Sequence, residues 1–172
     1  MINLKIERLT NVQMPSKAHA TDAGLDFYIP SDLAYVVKNG KNIKIGMYKR
    51  LLQPTNDTII STAIEIGPHE SVLIPMGIKT KFDPGYALVF FNRSGIATKK
   101  HLFRGACIVD SEYRGEIFVN LTNVSNETQY LLPGDKLIQA MLLPVYDIRV
   151  EEGKVDNDTE RGDGGFGSTD KK

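Results

Sequence analysis

Five short clusters of glycine and polar residues carry the residue types that could do chemistry. They span residues 21–26, 92–95, 105–115, 133–139 and 161–169. In the third cluster, Asp110 is a carboxylate that could accept a proton from a water molecule held within hydrogen-bond distance. The second cluster places Arg93, Ser94 and Gly95 side by side, and their guanidinium, hydroxyl and backbone N–H groups suit a phosphate contact. Each cluster taken alone is also a common turn sequence, so turn and site both stay open for each one.

Other well-known catalytic layouts are missing from the sequence. His19, His69 and His101 are far apart and lack the spacing of metal ligands. Neither the G-x-S-x-G nucleophile elbow nor the G-x-x-x-x-G-K-[ST] phosphate loop occurs. Cys107 is the single cysteine, which excludes an intrachain disulfide, and with no histidine near it in sequence it is predicted to pack in the core.

Length and composition bound the class of protein. The 172 residues suggest one domain, and 41% apolar and 24% charged residues are typical of a globular protein. The 21 Lys and Arg residues balance 21 Asp and Glu residues, which argues against stable nucleic-acid or membrane-surface binding. No apolar run is long enough for a membrane span, and residues 2–7 alternate in a way that is unlike a signal peptide. We expect a reducing, intracellular compartment.

Strands must position the five clusters, because the dominant hydrophobic period in the chain is two. Short runs rich in β-branched and aromatic residues are separated by turn residues, and each of the first four clusters lies beside such a run. The runs span residues 2–7, 25–29, 33–37, 58–60, 63–66, 71–74, 86–91, 116–121, 128–132 and 137–143. The best helix candidate is one or two turns at residues 95–100. The pattern predicts an all-β fold: a sandwich, a barrel or a jelly roll.

Two segments stand apart by composition. Residues 33–56 hold five cations and no acid, which is compatible with a solvated hairpin or with a docking patch for an acidic partner. The tail, residues 156–172, is polar and glycine-rich, and its composition predicts disorder. Phe166 lies between two glycines in that tail, which is unusual for a plain linker.

The five clusters, in their order along the chain, resemble the motifs of the trimeric dUTP pyrophosphatase (dUTPase) family. The matching patterns are A-G-x-D, R-S-G, D-x-x-Y-R-G, G-D…Q and R-G-x-x-G-F-G-S-T. The resemblance covers nearly the whole chain. It implies a jelly-roll-like, distorted β-barrel over residues 1–155, with a basic insertion around 38–60. It also implies a mobile glycine-rich tail, residues 156–172, that closes over the nucleotide, and a homotrimer with shared active sites.

The resemblance implies an enzyme that hydrolyses dUTP to dUMP and pyrophosphate with Mg²⁺. Such an enzyme limits uracil incorporation into DNA and supplies dUMP for dTTP synthesis, in the cytoplasm or inside a host cell if the source is viral. By resemblance, Asp110 deprotonates the water that attacks the α-phosphorus. Tyr113 is expected under the deoxyribose, where its ring leaves no space for a 2′-hydroxyl.

The remaining implied contacts surround the uracil and the triphosphate. The uracil slot is expected to use main-chain groups of the same hairpin, with residues Ala106, Cys107, Ile108, Val109 and Phe118. The phosphates are expected to meet Arg93, Ser94, Gly95 and Gln139, together with Arg161, Ser168 and Thr169 of the tail. Phe166, next to Gly167, is expected to stack on the uracil ring. Mg²⁺ is expected to be held mainly by phosphate oxygens, and Asp26 is the best candidate to contact it, through water.

The chain departs from the family pattern at a few positions. Cys107 stands where the family usually has glycine, Asn92 replaces a proline, and Asp170 replaces the final glycine. None of these changes removes an implied catalytic group. Two alternatives remain: the related dCTP deaminases, and a dUTP-binding regulatory protein that uses the 38–60 insertion to reach a partner.

Overall fold

A computed structural model describes residues 2–51 and 58–164 of the chain. Its strands are β1 (Lys5–Arg8), β2 (Leu25–Tyr28), β3 (Tyr35–Lys38), β4 (Lys41–Lys44), β5 (Gly46–Leu51), β6 (Thr58–Ile66), β7 (Ser71–Pro75), β8 (Ile78–Lys81), β9 (Tyr86–Asn92), β10 (Leu102–Arg104), β11 (Ile108–Asp110), β12 (Phe118–Asn123), β13 (Gln129–Leu131) and β14 (Lys136–Pro144). One helix, α1 (Ser94–Lys100), occurs in this described part. The all-β prediction is therefore confirmed, and the short helix lies where the sequence predicts it. No helix in these two ranges is both long and apolar enough to span a membrane.

Antiparallel pairing joins strands that are far apart in sequence. In the described residues, the two larger sheets have the strand orders β10-β12-β7-β3-β4 and β11-β9-β14-β2. Two smaller sheets have the orders β13-β6-β5 and β1-β8. Strand β14, late in the chain, pairs with β9 on one side and with the early strand β2 on the other. This connectivity brings the second and fourth clusters beside the first.

The core forms because alternate residues of the strands are apolar and turn to the same side. In β12, for example, Val119, Leu121 and Asn123 point inward and are buried. Phe27 and Phe90 meet edge to face in the centre, with ring centroids 5.1 Å apart. The largest fully buried side chains are Phe27, Ile29, Ile64, Ile66, Ile74, Met76, Ile78, Leu88, Leu102, Ile117, Leu121 and Leu131.

The basic segment folds as a hairpin, β3–β4, followed by strand β5. Asn39 and Gly40 have φ angles of +49° and +73°, the left-handed values that a two-residue hairpin turn requires. Val36 and Ile45 are buried and anchor the segment to the core. Residues 52–57 of the expected insertion lie outside the described residues.

The chain beyond Pro144 forms no strand as far as residue 164. Tyr146, Ile148 and Val150 have 82%, 81% and 90% of their surface exposed. Arg161 lies in a turn, where its Nε donates a hydrogen bond to the Gly164 carbonyl at 3.0 Å. Phe166, Gly167, Ser168 and Thr169 lie outside the described residues.

Candidate active site

Three of the sequence clusters meet at one end of the β11-β9-β14-β2 sheet. In the strand register, Gln139 of β14 lies opposite Asp26 of β2, and Ile138 lies opposite Asn92 of β9. Arg93 follows Asn92 directly and precedes helix α1. The strand register therefore places a carboxylate, an amide and a guanidinium near one another.

The Asp26 carboxylate is held between two cations. Its Oδ1 accepts a hydrogen bond from Arg93 Nε at 2.9 Å, and its Oδ2 accepts one from Lys136 Nζ at 2.8 Å. Arg93 Nη1 also donates to the Lys136 carbonyl at 3.0 Å. Only 13% of the Asp26 side chain is exposed, compared with 29% for Arg93 and 37% for Lys136. The carboxylate therefore lies deeper than the two cations that it orients.

The carboxylate of Asp26 stabilises the charged form of Lys136. The hydrogen bond to Asp26 raises the pKa of Lys136, with the negative charge of Asp26 adding to the effect, so the ammonium stays protonated. Sequence reasoning assigned no role to Lys136, although it lies three residues before Gln139 in the fourth cluster. The missing signal was the strand register, in which Lys136 pairs with Tyr28 of β2 next to a bulge between Lys136 and Ile138.

Gln139 completes this group, which we call the Asp26 cluster: Asp26, Arg93, Lys136 and Gln139. Gln139 Nε2 donates to the Asn92 carbonyl at 2.9 Å, which fixes the plane of the amide. Asn92 in turn accepts a hydrogen bond from the Arg104 N–H at 3.0 Å through its side chain. An open cleft of about 400 Å³ is lined by Asp26, Arg93 and Gln139 of the cluster, together with Ala18, Asp22, Asn92, Ser94 and Ala97. Its lining combines a guanidinium, a hydroxyl and an amide, which are phosphate-binding groups.

The third cluster lies at the other end of β9 as a strand and a turn rather than the expected hairpin, because β11 pairs with β9 whereas the next strand, β12, pairs with β10 and β7. Strand β11 ends at Asp110, which is exposed and lies opposite Ala87. A turn follows, closed by the hydrogen bond from the Tyr113 N–H to the Asp110 carbonyl at 3.1 Å. A carboxylate that is open to water at a strand end can accept a proton from a bound water.

Tyr113 is locked over this turn. Its hydroxyl donates a hydrogen bond to the Glu116 carbonyl at 2.8 Å, and Tyr113 is 45% exposed. A Cβ at position 115 would lie 2.3 Å from the Tyr113 hydroxyl oxygen, so glycine is required there for the ring to adopt this position. The Tyr-Arg-Gly sequence of the motif thus has a direct steric reason.

The expected uracil slot is built mostly of open positions. Ala106 and Ile108 are exposed and Val109 is half-buried, while Phe118 is 38% exposed. Cys107 is half-buried and packs against the edge of the core, where its carbonyl accepts the Phe90 N–H at 2.8 Å. Residues 106–109 lead along β11 to Asp110, whereas Phe118 begins β12 in the neighbouring sheet.

The structure of one protomer does not bring Asp110 and the Asp26 cluster together. Asp110 lies beside Ala87, near the first residue of β9, and Arg93 follows the last residue of that strand. Arg93 lies six positions after Ala87 along the extended strand, which corresponds to about 20 Å. Among the described residues, no group of three or more His, Cys, Asp or Glu side chains is arranged to hold a metal ion.

The family model for dUTPase matches residues 56–170 of the chain. The deoxyuridine 5′-triphosphate nucleotidohydrolase of Laribacter hongkongensis is 40% identical over 115 residues, which cover 64% of this chain and 76% of that protein. The nucleotidohydrolase of the same description from Hydrogenobaculum sp. is 36% identical over 115 residues, covering 66% of this chain and 80% of that protein.

Solved structures agree on the fold. A dUTPase mutant from Staphylococcus bacteriophage 80alpha, determined with dUpNHpp, superposes with a TM-score of 0.71 at 19% identity, covering 97% of this chain and 98% of that one. A mutant dUTPase from phage phi11 of S. aureus, described as coordinating a structural Mg(II) ion, has a TM-score of 0.65 at 20% identity and covers 90% and 98%. These likenesses confirm the jelly-roll fold, and the family model together with the bacterial relatives shows that the chain belongs to the dUTPase family.

Proposed function

We propose that the chain hydrolyses dUTP to dUMP and pyrophosphate. The observation that carries the proposal is the Asp26 cluster, whose guanidinium and amide line an open cleft, in a family whose relatives are named deoxyuridine 5′-triphosphate nucleotidohydrolases. The physiological consequence would be to limit uracil incorporation into DNA and to supply dUMP for dTTP synthesis. The cytoplasm, or the interior of a host cell, is where that substrate is found.

Asp110 is the proposed general base. Its carboxylate accepts a proton from a water molecule whose oxygen attacks the α-phosphorus of dUTP. The bond between the α-phosphorus and the bridging oxygen breaks, and pyrophosphate leaves with that oxygen. The exposure of Asp110 at the end of β11 supports this role, because the attacking water must reach the carboxylate from solvent.

Strand β11, the residues just before it and the turn after it are proposed to recognise deoxyuridine. Main-chain groups of Ala106–Asp110 and of Phe118 pair with the uracil edge, and cytosine would leave a buried donor unpaired at a cost of about 1–3 kcal/mol. Tyr113 packs under the deoxyribose and excludes a 2′-hydroxyl. The hydrogen bond from its hydroxyl to Glu116 supports this role, because it keeps the ring in one position.

The triphosphate is assigned to the Asp26 cluster and to the segments beside it. Arg93, Ser94, Gly95 and Gln139 contact phosphate oxygens, and Lys136 adds a second cation that sequence reasoning did not identify. Asp26 positions Arg93 and Lys136 through its two short hydrogen bonds. A cation that is already oriented loses less side-chain entropy when the phosphate arrives.

The tail completes the site in this proposal. Arg161, Ser168 and Thr169 reach the γ-phosphate, and Phe166 with Gly167 covers the uracil ring. We place the boundary between the β domain and the tail at residues 155 and 156. The described structure supports a boundary beyond Pro144, the last residue of β14.

The donor chemistry of the cleft fits Mg²⁺. Mg²⁺ favours oxygen ligands and usually keeps several waters, so one carboxylate plus substrate phosphates is an ordinary set. The carboxylates of Asp26 and Asp22 line the same cleft, and Asp26 would reach the ion through water. When bound, Mg²⁺ neutralises negative charge on the triphosphate.

A homotrimer with shared active sites accounts for the distance between the two parts of the site. Asp110 of one subunit would face the Asp26 cluster of another, because about 20 Å separates them within one chain. The segment after β14 supports exchange between subunits. Tyr146, Ile148 and Val150 alternate with polar residues, as in a strand, yet are at least 81% exposed in the protomer.

A panel of dUTP, dCTP, dTTP and UTP tests the proposal by pyrophosphate release. We expect release from dUTP and at least 10-fold less from each of the others. The reason is that dCTP carries an amine in place of O4, dTTP adds a 5-methyl group and UTP adds a 2′-hydroxyl. Ammonia released from dCTP would instead assign the chain to the deaminases. Binding of dUTP without any pyrophosphate release would assign a regulatory role.

A further inference from the structure

Strands β3 and β4 form a basic surface that shares no residue with the proposed active site. Residues 33–51 contain five lysines and arginines and no acid. Lys38 is occupied by Glu70, whose Oε2 lies 2.7 Å from Lys38 Nζ. Lys41 and Lys44 are exposed on β4, and all four residues of that strand are exposed. The family match begins at residue 56, after these strands, so the surface lies outside what that match covers.

Among residues 2–51 and 58–164, no strand pairs with the outer edge of strand β4. It is the outermost strand of its five-stranded sheet and pairs with β3 on one side. In an antiparallel pair, hydrogen-bonded residues alternate with non-hydrogen-bonded ones. Because the turn between β3 and β4 has two residues, Lys38 and Lys41 form a hydrogen-bonded pair. Counting by alternation from that pair, Ala34 and Ile45 are also hydrogen-bonded, and the Ile45 N–H indeed donates to the Ala34 carbonyl at 3.1 Å. Asn42 and Lys44 therefore direct their N–H and C=O groups away from β3.

A partly apolar groove of about 410 Å³ lies beside this edge. Ile43 and Met47 are 42% and 82% exposed there, and Val36 and Ile45 lie beneath them. Lys44 and Glu65 stand at the rim. Lysines commonly protect an open edge from pairing with its own copies, because like charges would face one another. The same lysines attract a strand that carries negative charge.

We propose that the β4 edge and this groove bind an extended acidic segment of a partner protein by strand addition. The added strand pairs with the outward N–H and C=O groups of Asn42 and Lys44. An apolar side chain opposite Ile43 enters the groove, and a carboxylate opposite Lys44, on the other face of the added strand, meets the Lys44 ammonium group. A nucleic acid would use the charges but neither the apolar groove nor the backbone edge. A second copy of β4 would oppose lysine to lysine.

Fluorescein-labelled peptides test the proposal on the full-length protein by anisotropy. The probe is a blocked heptapeptide of alternating glutamate and valine. One control peptide carries lysine in place of glutamate, and another carries N-methyl groups on the backbone nitrogens that would face β4. The protein variants are Lys44→Glu and, as a matched charge reversal on α1, Lys99→Glu. We expect the glutamate peptide to bind the native protein, to bind Lys99→Glu equally, and to bind Lys44→Glu at least 10-fold more weakly.

Three further results decide the matter. The N-methylated and lysine peptides should not bind, and the amide resonances of Asn42 and Lys44 should shift on addition of the glutamate peptide. Release of pyrophosphate from dUTP should be the same in Lys44→Glu as in the native protein. No binding of the glutamate peptide, equal binding by Lys44→Glu, or tighter binding of a labelled single-stranded DNA that Lys44→Glu abolishes would each overturn the proposal.

Discussion

Asp110 and Arg93 lie at opposite ends of one strand, β9, with Asp110 beside its second residue and Arg93 just beyond its last. About 20 Å of strand lies between their positions, so the two side chains are not neighbours within one protomer. The proposed chemistry therefore depends on how subunits meet as much as on how one chain folds.

Replacing Asp110 with asparagine keeps the size of the side chain and removes its ability to accept a proton. We expect kcat for dUTP to fall about 10²–10⁴-fold, the usual contribution of a positioned base. Binding of dUpNHpp, measured by calorimetry, should change little because the carboxylate acts on water. Glu127→Gln, which removes an exposed carboxylate from the β12–β13 turn, is the control. A kcat near the native value would remove Asp110 from the mechanism.

Replacing Tyr113 with alanine removes the wall under the sugar. The ratio of kcat/KM for dUTP to that for UTP should fall by at least 10-fold, since a steric exclusion is lost. Tyr113→Phe keeps the ring and loses the hydrogen bond to Glu116, so it should retain most of the discrimination. An unchanged ratio in the alanine variant would show that another group excludes the ribonucleotide.

Replacing Asp26 with asparagine removes the counter-charge of two cations. Arg93 and Lys136 would each lose their hydrogen bond to a negatively charged carboxylate. We expect kcat/KM for dUTP to fall about 10–100-fold, with a larger change in KM than Glu127→Gln gives. The pKa of Lys136 should also move down, which an NMR titration of its ammonium group would detect. Unchanged kinetics would mean that Asp26 has no positioning role.

Glu70 links the basic hairpin to the turn between β6 and β7, and stability should depend on pH through it. Burial raises the pKa of Glu70, but hydrogen bonds from Lys38 and from the Gly67 N–H, with the charge of Lys38, outweigh burial and hold the pKa below its ordinary 4.5. The unfolded chain therefore takes up the proton at a higher pH than the folded one. The stabilising contribution is complete above pH 4.5 and is lost as the pH falls through the lowered value.

The measurement for this prediction is the free energy of unfolding in urea at pH 7 and in acid, at one protein concentration. Glu70→Gln should be less stable than the native protein at pH 7, and the difference should shrink as the pH falls below 4.5. Glu127→Gln should show no such convergence. A difference between Glu70→Gln and the native protein that stays constant with pH would contradict the assignment.

The sequence predicted the parts of the site that depend on residue order. Period-two alternation was sufficient for an all-β fold, and the five motifs were sufficient to group Asp110 with Tyr113 and Arg93 with Gln139. Lys136 was missed because its contact with Asp26 depends on strand register and on a bulge, which are set by long-range pairing. The open edge of β4 was missed for the same reason. Composition revealed its lysines but not which strand would remain unpaired.

Complementation between two inactive variants tests the central claim most directly. Asp110→Asn and Arg93→Ala subunits, each inactive alone, are mixed under denaturing conditions and refolded together. If Asp110 of one subunit works with Arg93 of another, random mixing leaves about a quarter of the sites with both groups intact. The account predicts pyrophosphate release from dUTP at about that fraction of the native rate. A mixture that stays inactive, with mixed oligomers confirmed by native mass spectrometry, would contradict it.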